Sequence, residues 1–289
     1  MFQYATVKTI AETKGYEFRY IRHKNTGFIN STDSKYGNEI NTIFSLPPEE
    51  QLFSIPDFPT YHEVPPQKRN NPQSVYQNVK DNMIVRGFFI TPILIEHNLT
   101  NVRKWFSLPR SVIEKASQFI QPYKASGKKI CIVHFRVGND YLLLGYKLSK
   151  SYWKRAAAEV LKAYPDVQFV LVYDKLTRDV SSFMKSYPDA VQIHGSLVDD
   201  MAMLTLGDIN IVSNSSFSIM GALLNSQSIM TLCPSVYPSP FGNLPDNTYG
   251  TAWLRIPARR DILSSIACNL RNAAKKLLPV SLIRKYLKN

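Results

Sequence analysis

Apolar runs of strand length alternate with segments of helical spacing in the second half of the chain, and this alternation restricts the fold most. Residues 129–135 are apolar almost throughout, as in a strand buried on both faces of a parallel sheet. Residues 149–164 then carry apolar side chains at helical spacing and end before Pro165. The same alternation predicts strands over 168–173, 191–194, 209–213 and 229–233, and helices over 177–187, 199–206 and 216–224. We therefore predict the α/β class, with a doubly wound parallel sheet that binds ligands at the carboxyl ends of its strands.

The first half of the chain is less regular. Seven prolines lie within residues 25–82 and exclude a long helix there, whereas helices are predicted over 93–106 and 111–123. A Gly-containing turn then precedes the first strand of the regular half. We predict an N-terminal α/β domain over residues 1–126 and a C-terminal Rossmann-like domain over 127–260.

Residues 261–289 form the third predicted part, a basic helical tail. From residue 262 onward the chain has no Asp or Glu but six Lys or Arg, interleaved with Leu and Ile. A basic amphipathic helix of this kind lies on anionic lipid, whereas a closing helix packs on the body and leaves its lysines in water. The spacing favours the closing helix for 261–277 and the lipid surface for 279–289. We expect peripheral contact with an anionic membrane through 271–289.

The formal net charge of +13 favours anionic partners: nucleic acid, phosphorylated small molecules or an acidic membrane. The sequence has no helix-turn-helix, zinc-binding or RNP-like motif, so we expect no nucleic acid. Cys131, Cys233 and Cys268 are dispersed, which indicates a reducing compartment and argues against a zinc site or disulfides. No apolar run approaches the ~20 residues that cross a bilayer. We therefore expect a cytoplasmic protein, peripheral on the cytoplasmic face of the membrane.

Three segments carry residue types that suit a phosphorylated ligand. The first ends the strand over 129–135 and contains His134, Arg136, Gly138 and Asp140. Arginine pairs with phosphate oxygens, and glycine lets the backbone approach them closely. An arginine in an ordinary surface turn would explain the same residues.

The other two segments lie where helices are predicted to begin. Residues 214–218, Asn-Ser-Ser-Phe-Ser, offer free amides and hydroxyls to an anion, although Ser215 or Ser216 could simply cap the helix. Asp199 and Asp200 begin the preceding helix. One of these carboxylates could accept the N1–H and N2–H₂ donors of guanine, or both could serve the helix as cap and first-turn charge.

The order and spacing of these segments resemble bacterial α-1,2-fucosyltransferases, glycosyltransferase family 11. That family opens with Gly-Asn-Gln-Met-Phe-Gln-Tyr-Ala and continues through Gly-Tyr-Phe, His-x-Arg-Arg-Gly-Asp-Tyr, Phe-Ser-Asp-Asp and Asn-Ser-Ser-Phe-Ser-Trp-Trp-Gly-Ala. This chain has related residues at 1–5, 87–89, 134–141, 172–174 and 214–222. The resemblance covers nearly the whole chain, and its specific parts are the opening and the Asn-Ser-Ser-Phe-Ser segment.

The resemblance implies a GT-B-like fold, in which two Rossmann-like domains face a cleft. Residues 1–126 would form the acceptor side, with the first strand missing because the chain begins inside the opening motif, and 127–260 would bind GDP-fucose. The implied reaction moves L-fucose to a sugar hydroxyl, the O2 of a β-galactoside, with inversion. No cofactor or metal is expected, since the chain has no Asp-x-Asp motif. The implied partners are a GDP-sugar donor and an oligosaccharide or glycolipid acceptor.

The resemblance also implies roles for single residues. Arg136 matches the arginine that holds the donor pyrophosphate, His134 matches the histidine near the nucleotide, and Asp200 lies where guanine is read. The predicted donor-binding set is His134, Arg136, Gly138, Asp174, Asp200, Asn214, Ser215, Ser216, Phe217 and Ser218. The predicted catalytic residues are Arg136 and Asp140.

The chain departs from the family pattern inside its arginine motif. Val137 replaces the second arginine, and Asn139 is inserted before the aspartate. Three alternatives therefore stay open: another GDP-sugar, another linkage, or a non-catalytic homologue that binds a nucleotide sugar. The general base is open too, with Asp140, His23 and His62 as candidates on chemistry alone.

Overall fold

The computed structural model describes residues 1–19, 43, 44, 46, 57–63, 73–193, 195–239, 242–244 and 246–277. The candidate base His23 and the predicted lipid-facing segment 279–289 lie outside these residues. The strands within them are β1 Thr60–His62, β2 Ile84–Arg86, β3 Ile130–Phe135, β4 Gln168–Tyr173, β5 Val191–Gln192, β6 Ile209–Ile211, β7 Met230–Pro234, β8 Tyr237–Ser239, β9 Gly242–Leu244 and β10 Leu254–Ile256.

Helices precede, separate and follow the strands. In chain order they are α1 Phe2–Lys14, α2 Ser74–Asn78, α3 Leu99–Trp105, α4 Arg110–Ala125, α5 Asn139–Leu144, α6 Ser151–Ala163, α7 Arg178–Ser186, α8 Leu197–Leu206, α9 Ser216–Leu224 and α10 Ile262–Leu277. Short 3₁₀ turns occupy Pro92–Leu94, Glu96–Asn98 and Asp246–Thr248.

Six strands form one sheet in the order β10-β7-β6-β3-β4-β5, and every neighbouring pair is parallel. Counted from β3 along the chain, this order is 3-2-1-4-5-6, that of a doubly wound nucleotide-binding sheet. The order reverses between β3 and β6, and in sheets of this kind the ligand crevice lies beyond the carboxyl ends of the two strands at the reversal. The smaller sheets are the parallel pair β1–β2 and the antiparallel hairpin β8–β9.

Successive side chains of β3 enter two different cores, which shows that helices cover both faces of the sheet. Val133 and Phe135 pack with α6, where the Phe135 ring stacks on Trp153 at 4.8 Å between centroids. Ile130 and Ile132 point the other way and pack with α4 and α8. The prediction of an α/β fold with a doubly wound parallel sheet is therefore confirmed.

The N-terminal helices pack on the same body. Phe2 and Ile10 of α1 share a core with Met220 of α9. Farther along the chain, the Glu96 carboxylate accepts hydrogen bonds from the backbone amide and the hydroxyl of Thr251, both at 2.8 Å. Apolar burial and exposed polar contacts thus join the first half of the chain to the second.

The predicted boundary at residues 126 and 127 falls directly after α4. This helix packs against the sheet through Ala116 and Ile120. Within the described part of residues 1–126 the strands are β1 and β2, of three residues each. The division into two Rossmann-like domains that face a cleft stays a prediction.

Most predicted elements of the second half are present, and two with the predicted bounds, β4 and α9. The short helix α5 and the edge strand β10 were not predicted. Among the described residues, no helix is long and apolar enough to cross a membrane.

Gly221 lies inside α9 where this helix meets α8. A Cβ added to Gly221 would lie 2.7 Å from the Leu204 Cβ and 3.2 Å from the Met201 Sδ. Helix propensity alone would make Gly221→Ala stabilising by about 0.5–1 kcal/mol. We expect overpacking to dominate and to lower the free energy of unfolding by about 1–3 kcal/mol, measured by urea denaturation. An unchanged or higher denaturation midpoint would contradict the close packing of these two helices.

Candidate functional site

The carboxyl ends of β3 and β6 lie side by side at the reversal of strand order. Strand β3 ends with His134 and Phe135, and Arg136 follows it directly. After β6 the chain continues through Ser213 and Asn214 into α9. The first and second predicted segments, far apart in sequence, therefore meet at one edge of the sheet.

Arg136 lies between two carboxylates. Its guanidinium donates to the carboxylates of Asp174 and Asp140, and its Cζ lies 4.6 Å from the centre of the Tyr141 ring. Burial opposes the charge, but Asp174 and Asp140 outweigh it and raise the pKa of Arg136. The guanidinium is therefore a fixed cation at the strand end.

The Asp174 carboxylate also binds the backbone of the loop that follows Arg136. It accepts hydrogen bonds from the amides of Val137 at 3.0 Å and Gly138 at 3.1 Å. A Cβ on Gly138 would lie 2.6 Å from Asp174 Oδ2 and 2.9 Å from Asp140 Oδ1. Only glycine leaves room for both carboxylates there, which gives Gly138 a structural reason within the predicted set.

Val137 points away from this crevice. Its side chain is buried in the core formed by α6, α7 and the sheet. The position that holds the second arginine in the resembling family is therefore apolar and enclosed here, and Arg136 is the cation of this loop.

His134 is a buried neutral group. Its Nδ1 lies 2.8 Å from the Ser213 hydroxyl, and its carbonyl accepts from the Trp153 indole at 3.2 Å. Burial lowers the pKa of His134 to about 4, with Asp174 acting in the opposite direction and Arg136 in the same one. At pH 7 the imidazole therefore orients the Ser213 hydroxyl and adds no charge to the site.

The start of α9 departs from ordinary capping. Ser215 occupies the N-cap position, yet its side chain makes no capping hydrogen bond. The Ser218 hydroxyl is buried and bonds the carbonyl of Ser215 at 3.2 Å and the Ser213 hydroxyl at 3.3 Å. These hydrogen bonds of the buried Ser218 hydroxyl stabilise the turn between β6 and α9. Ser215 and Ser216 stand beside the first amides of α9, which have no partner inside the helix.

Asn214 links the start of α9 to the segment that follows α5. Its amide donates to the Tyr146 carbonyl at 2.7 Å, while its side-chain oxygen is buried without a hydrogen-bond partner. The Asn214 carbonyl accepts from the Tyr141 hydroxyl at 3.1 Å, and this hydroxyl also bonds Ser215. Tyr141 therefore contacts both Arg136 and the start of α9.

Sequence reasoning missed a tyrosine cluster at this site. The rings of Tyr141 and Tyr146 lie 5.3 Å apart, and Tyr141 also forms a hydrogen bond with Tyr237. Tyr237 lies in the hairpin β8–β9, and no pattern in the sequence predicts that this hairpin packs near the end of β3. Ser213 was missed as well, because it reads as the end of a strand.

The two adjacent aspartates have different roles. Asp199 forms a capping box with Ser196 and an ion pair with Lys115 at 2.9 Å, so the capping interpretation is right for Asp199. Asp200 is half-buried, and its side-chain carboxylate has no hydrogen-bond partner among the described residues. Burial, and then Asp199 and Asp174, raise the pKa of Asp200 to about 7. Asp200 is therefore an unpaired acceptor close to Asp174.

Phe217 and His62, two further predicted residues, make few contacts with the site. Phe217 lies near the His134 ring, with 5.8 Å between centroids. His62 ends the exposed strand β1 and makes no contact with this site that the structure records. Among the described residues, no three His, Cys, Asp or Glu side chains cluster as ligands of a metal ion.

No family model matches the sequence, and no curated protein matches it. Similar solved structures include NodZ, an α-1,6-fucosyltransferase soaked with GDP-fucose, at 16% identity over 77% of this chain and 87% of that chain, with a TM-score of 0.46. They also include POFUT1 in complex with GDP, at 13% identity over 55% of this chain and 54% of that chain, with a TM-score of 0.37. This chain thus aligns with about half of the POFUT1 chain.

Asp200 makes the stability of the protein depend on pH. A carboxyl whose pKa rises from 3.8 to about 7 on folding holds its proton more tightly in the folded state. The contribution of Asp200 to the free energy of unfolding therefore falls as pH rises from about 4 to about 7, and levels off above. We expect Asp200→Asn to raise the melting temperature at about pH 8 and to change it little at about pH 4.

The exposed Asp166 offers a matched control. We expect Asp166→Asn to shift the melting temperature equally at both pH values. Calorimetry of the two variants checks this, and an equal shift for Asp200→Asn would contradict the burial of its carboxyl.

Proposed function

We propose that this chain is a glycosyltransferase that uses GDP-fucose and moves L-fucose to a sugar hydroxyl. One observation carries the proposal: a fixed cation, Arg136, and the start of α9 lie at the reversal point of the sheet and contact the same side chain, Tyr141. A cation facing a helix N-terminus is a site for a phosphate group. The family resemblance supports the identity of the sugar.

In the proposed complex, the pyrophosphate lies between Arg136 and the first amides of α9. Asp140 is the more exposed partner of Arg136, and Asp174 is additionally bonded to two amides. The incoming phosphate therefore displaces Asp140, while Asp174 keeps the guanidinium in place. Ser215 and Ser216 add hydroxyl donors, and Ser218 keeps the turn in shape.

The guanine base is proposed to lie at Asp200. An ionised carboxylate accepts both donors of the guanine edge, and Asp200 has no competing partner among the described residues. Because the pKa of Asp200 is about 7, the bound base also selects the ionised form. The buried Asn214 and the partly buried Phe217 are proposed to shape the wall between the base and the phosphates.

The proposed transfer occurs in one inverting step. The acceptor oxygen attacks the anomeric carbon as the bond from that carbon to the β-phosphate oxygen breaks, and GDP leaves with the bonding electrons. Arg136 and the α9 amides stabilise the charge that develops on the phosphate without a metal. Asp140, released from Arg136, is the candidate base for the acceptor proton. His134 is neutral and buried, so its role is to position Ser213.

The proposal extends to the acceptor, the arrangement of the two domains and the location in the cell. The acceptor is an oligosaccharide or glycolipid, with the O2 of a β-galactoside as the implied hydroxyl, in a GT-B arrangement whose acceptor side is residues 1–126. No nucleic acid takes part. The protein acts on the cytoplasmic side, with peripheral contact to an anionic membrane through residues 271–289.

A non-catalytic nucleotide-sugar binder is the second candidate. It is favoured by the buried Val137, which leaves one cation where the resembling family has two. A transferase for another GDP-sugar or linkage would have the same phosphate site and a different sugar pocket.

Calorimetric titration with GDP-fucose, GDP-mannose and UDP-galactose in the presence of EDTA separates these candidates. Selective binding of GDP-fucose, followed by release of GDP when lactose is added, would support the transferase. Binding without release across β-galactoside acceptors would favour the non-catalytic binder. Absence of binding by every nucleotide sugar would overturn the assignment of this crevice.

Arg136→Ala removes the cation proposed to stabilise the leaving group. We expect kcat for transfer to fall by about 10²–10³, the usual effect of losing one such donor. Arg110→Ala is the control, because Arg110 is exposed and pairs with Glu114 on the surface of α4. Circular dichroism checks that both variants are folded. Full activity in the Arg136→Ala variant would refute the proposed role.

A further inference from the structure

Helix α10 attaches to the body through small side chains. Its buried residues include Ser264 and Cys268. The Ser264 hydroxyl donates to the carbonyls of Tyr141 at 3.2 Å and Leu142 at 2.9 Å, both in α5. Cys268 packs against Gly145, where an added Cβ would lie 3.1 Å from its Sγ. The face that α10 turns to the protein therefore buries little apolar surface.

The opposite face of α10 is apolar and exposed. Ile262, Leu263, Ile266 and Leu270 are 77%, 67%, 50% and 66% exposed. Positions 262, 266 and 270 follow each other at four-residue spacing and share one face of the helix. We call these four residues the outer stripe. A surface helix of a globular protein normally turns such a stripe toward the core, so α10 is inverted relative to the closing helix predicted from the sequence.

The charged residues that follow the outer stripe in the sequence are all cationic. The acidic residue nearest in sequence, Asp261, is turned inward, where it accepts from the Ser264 amide at 3.0 Å and lies 3.9 Å from the Lys147 ammonium. Arg259 before the helix is exposed. From residue 262 to the end the sequence has six Lys or Arg and no Asp or Glu. An exposed apolar stripe followed in the sequence by cations alone complements a surface that is apolar inside and anionic at its boundary.

We propose that α10 is a membrane-docking helix whose outer stripe inserts into the headgroup region of an anionic bilayer. Amphipathic helices with Leu and Ile on one side and Lys and Arg on the other lie in this plane. The stripe places the contact at residues 262–270, N-terminal to the basic residues 271–289, which add electrostatic attraction.

The docking helix is joined directly to the candidate site. Ser264 is bonded to α5, and α5 carries Asp140 and Tyr141 at its start. A bilayer that holds α10 therefore lies one helix away from the Arg136 loop, which suits an acceptor anchored in lipid. The docking itself requires no nucleotide and does not depend on the proposed transfer.

Co-sedimentation of the full chain with vesicles tests the proposal in the absence of nucleotide. Vesicles of phosphatidylcholine with phosphatidylglycerol are compared with vesicles of phosphatidylcholine alone. We expect binding to the anionic vesicles, and at least a tenfold loss of affinity in the double variant Ile266→Ser/Leu270→Ser, since it removes two apolar side chains that the bilayer would bury.

The matched control is Ile229→Ser/Leu254→Ser, which removes two exposed apolar side chains at the opposite end of the sheet strands. We expect this control to bind as the unchanged protein does, and both variants to keep its melting temperature because all four side chains are exposed. Equal binding by the two double variants, or no binding to anionic vesicles by the unchanged protein, would overturn the proposal. A dimer that Ile266→Ser/Leu270→Ser dissociates, seen by light scattering, would overturn it in favour of a second copy of the chain.

Discussion

The carboxylate of Asp174 organises the candidate site, because it binds Arg136 and two consecutive loop amides at once. It stands at the end of β4, the strand beside β3, so parallel pairing alone brings it next to the loop that follows β3. The two amides fix the direction of the loop, and the ion pair fixes the guanidinium within it. Without Asp174, Arg136 would be a partly buried charge held only by the more exposed Asp140.

The electrostatics around this arrangement divide the site into a charged and a neutral part. Arg136 stays cationic because two carboxylates outweigh its burial, whereas His134 stays neutral because burial dominates its environment. Burial, and then Asp199 and Asp174, raise the pKa of Asp200 to about 7, so its carboxyl changes charge near neutral pH. One fixed cation, one neutral imidazole and one adjustable carboxylate suit a ligand with a pyrophosphate and a base that donates hydrogen bonds.

The parallel sheet could be predicted from the sequence because its strands are continuous apolar runs, a pattern that burial on both faces requires. The meeting of Arg136 with residues 214–218 was predictable in the same way, since both follow strands of one sheet. The separation of Asp199 from Asp200 was not predictable, because it depends on Lys115 and Ser196 reaching one carboxylate only. Helix α5 was missed because six residues are too few for a periodic signal. Gly145, which follows α5 with a φ of 75°, was a marker of its end, as Gly15 with a φ of 72° is for α1.

The central claim is that the crevice between β3 and α9 holds the diphosphate of a GDP-sugar, and a crystal structure of the protein with GDP tests it most directly. We expect phosphate oxygens to contact Arg136 and the first amides of α9. We also expect that Asp140 has left Arg136 while Asp174 has not, and that the guanine edge faces Asp200. GDP bound elsewhere, with Arg136 still held by both carboxylates, would contradict the account.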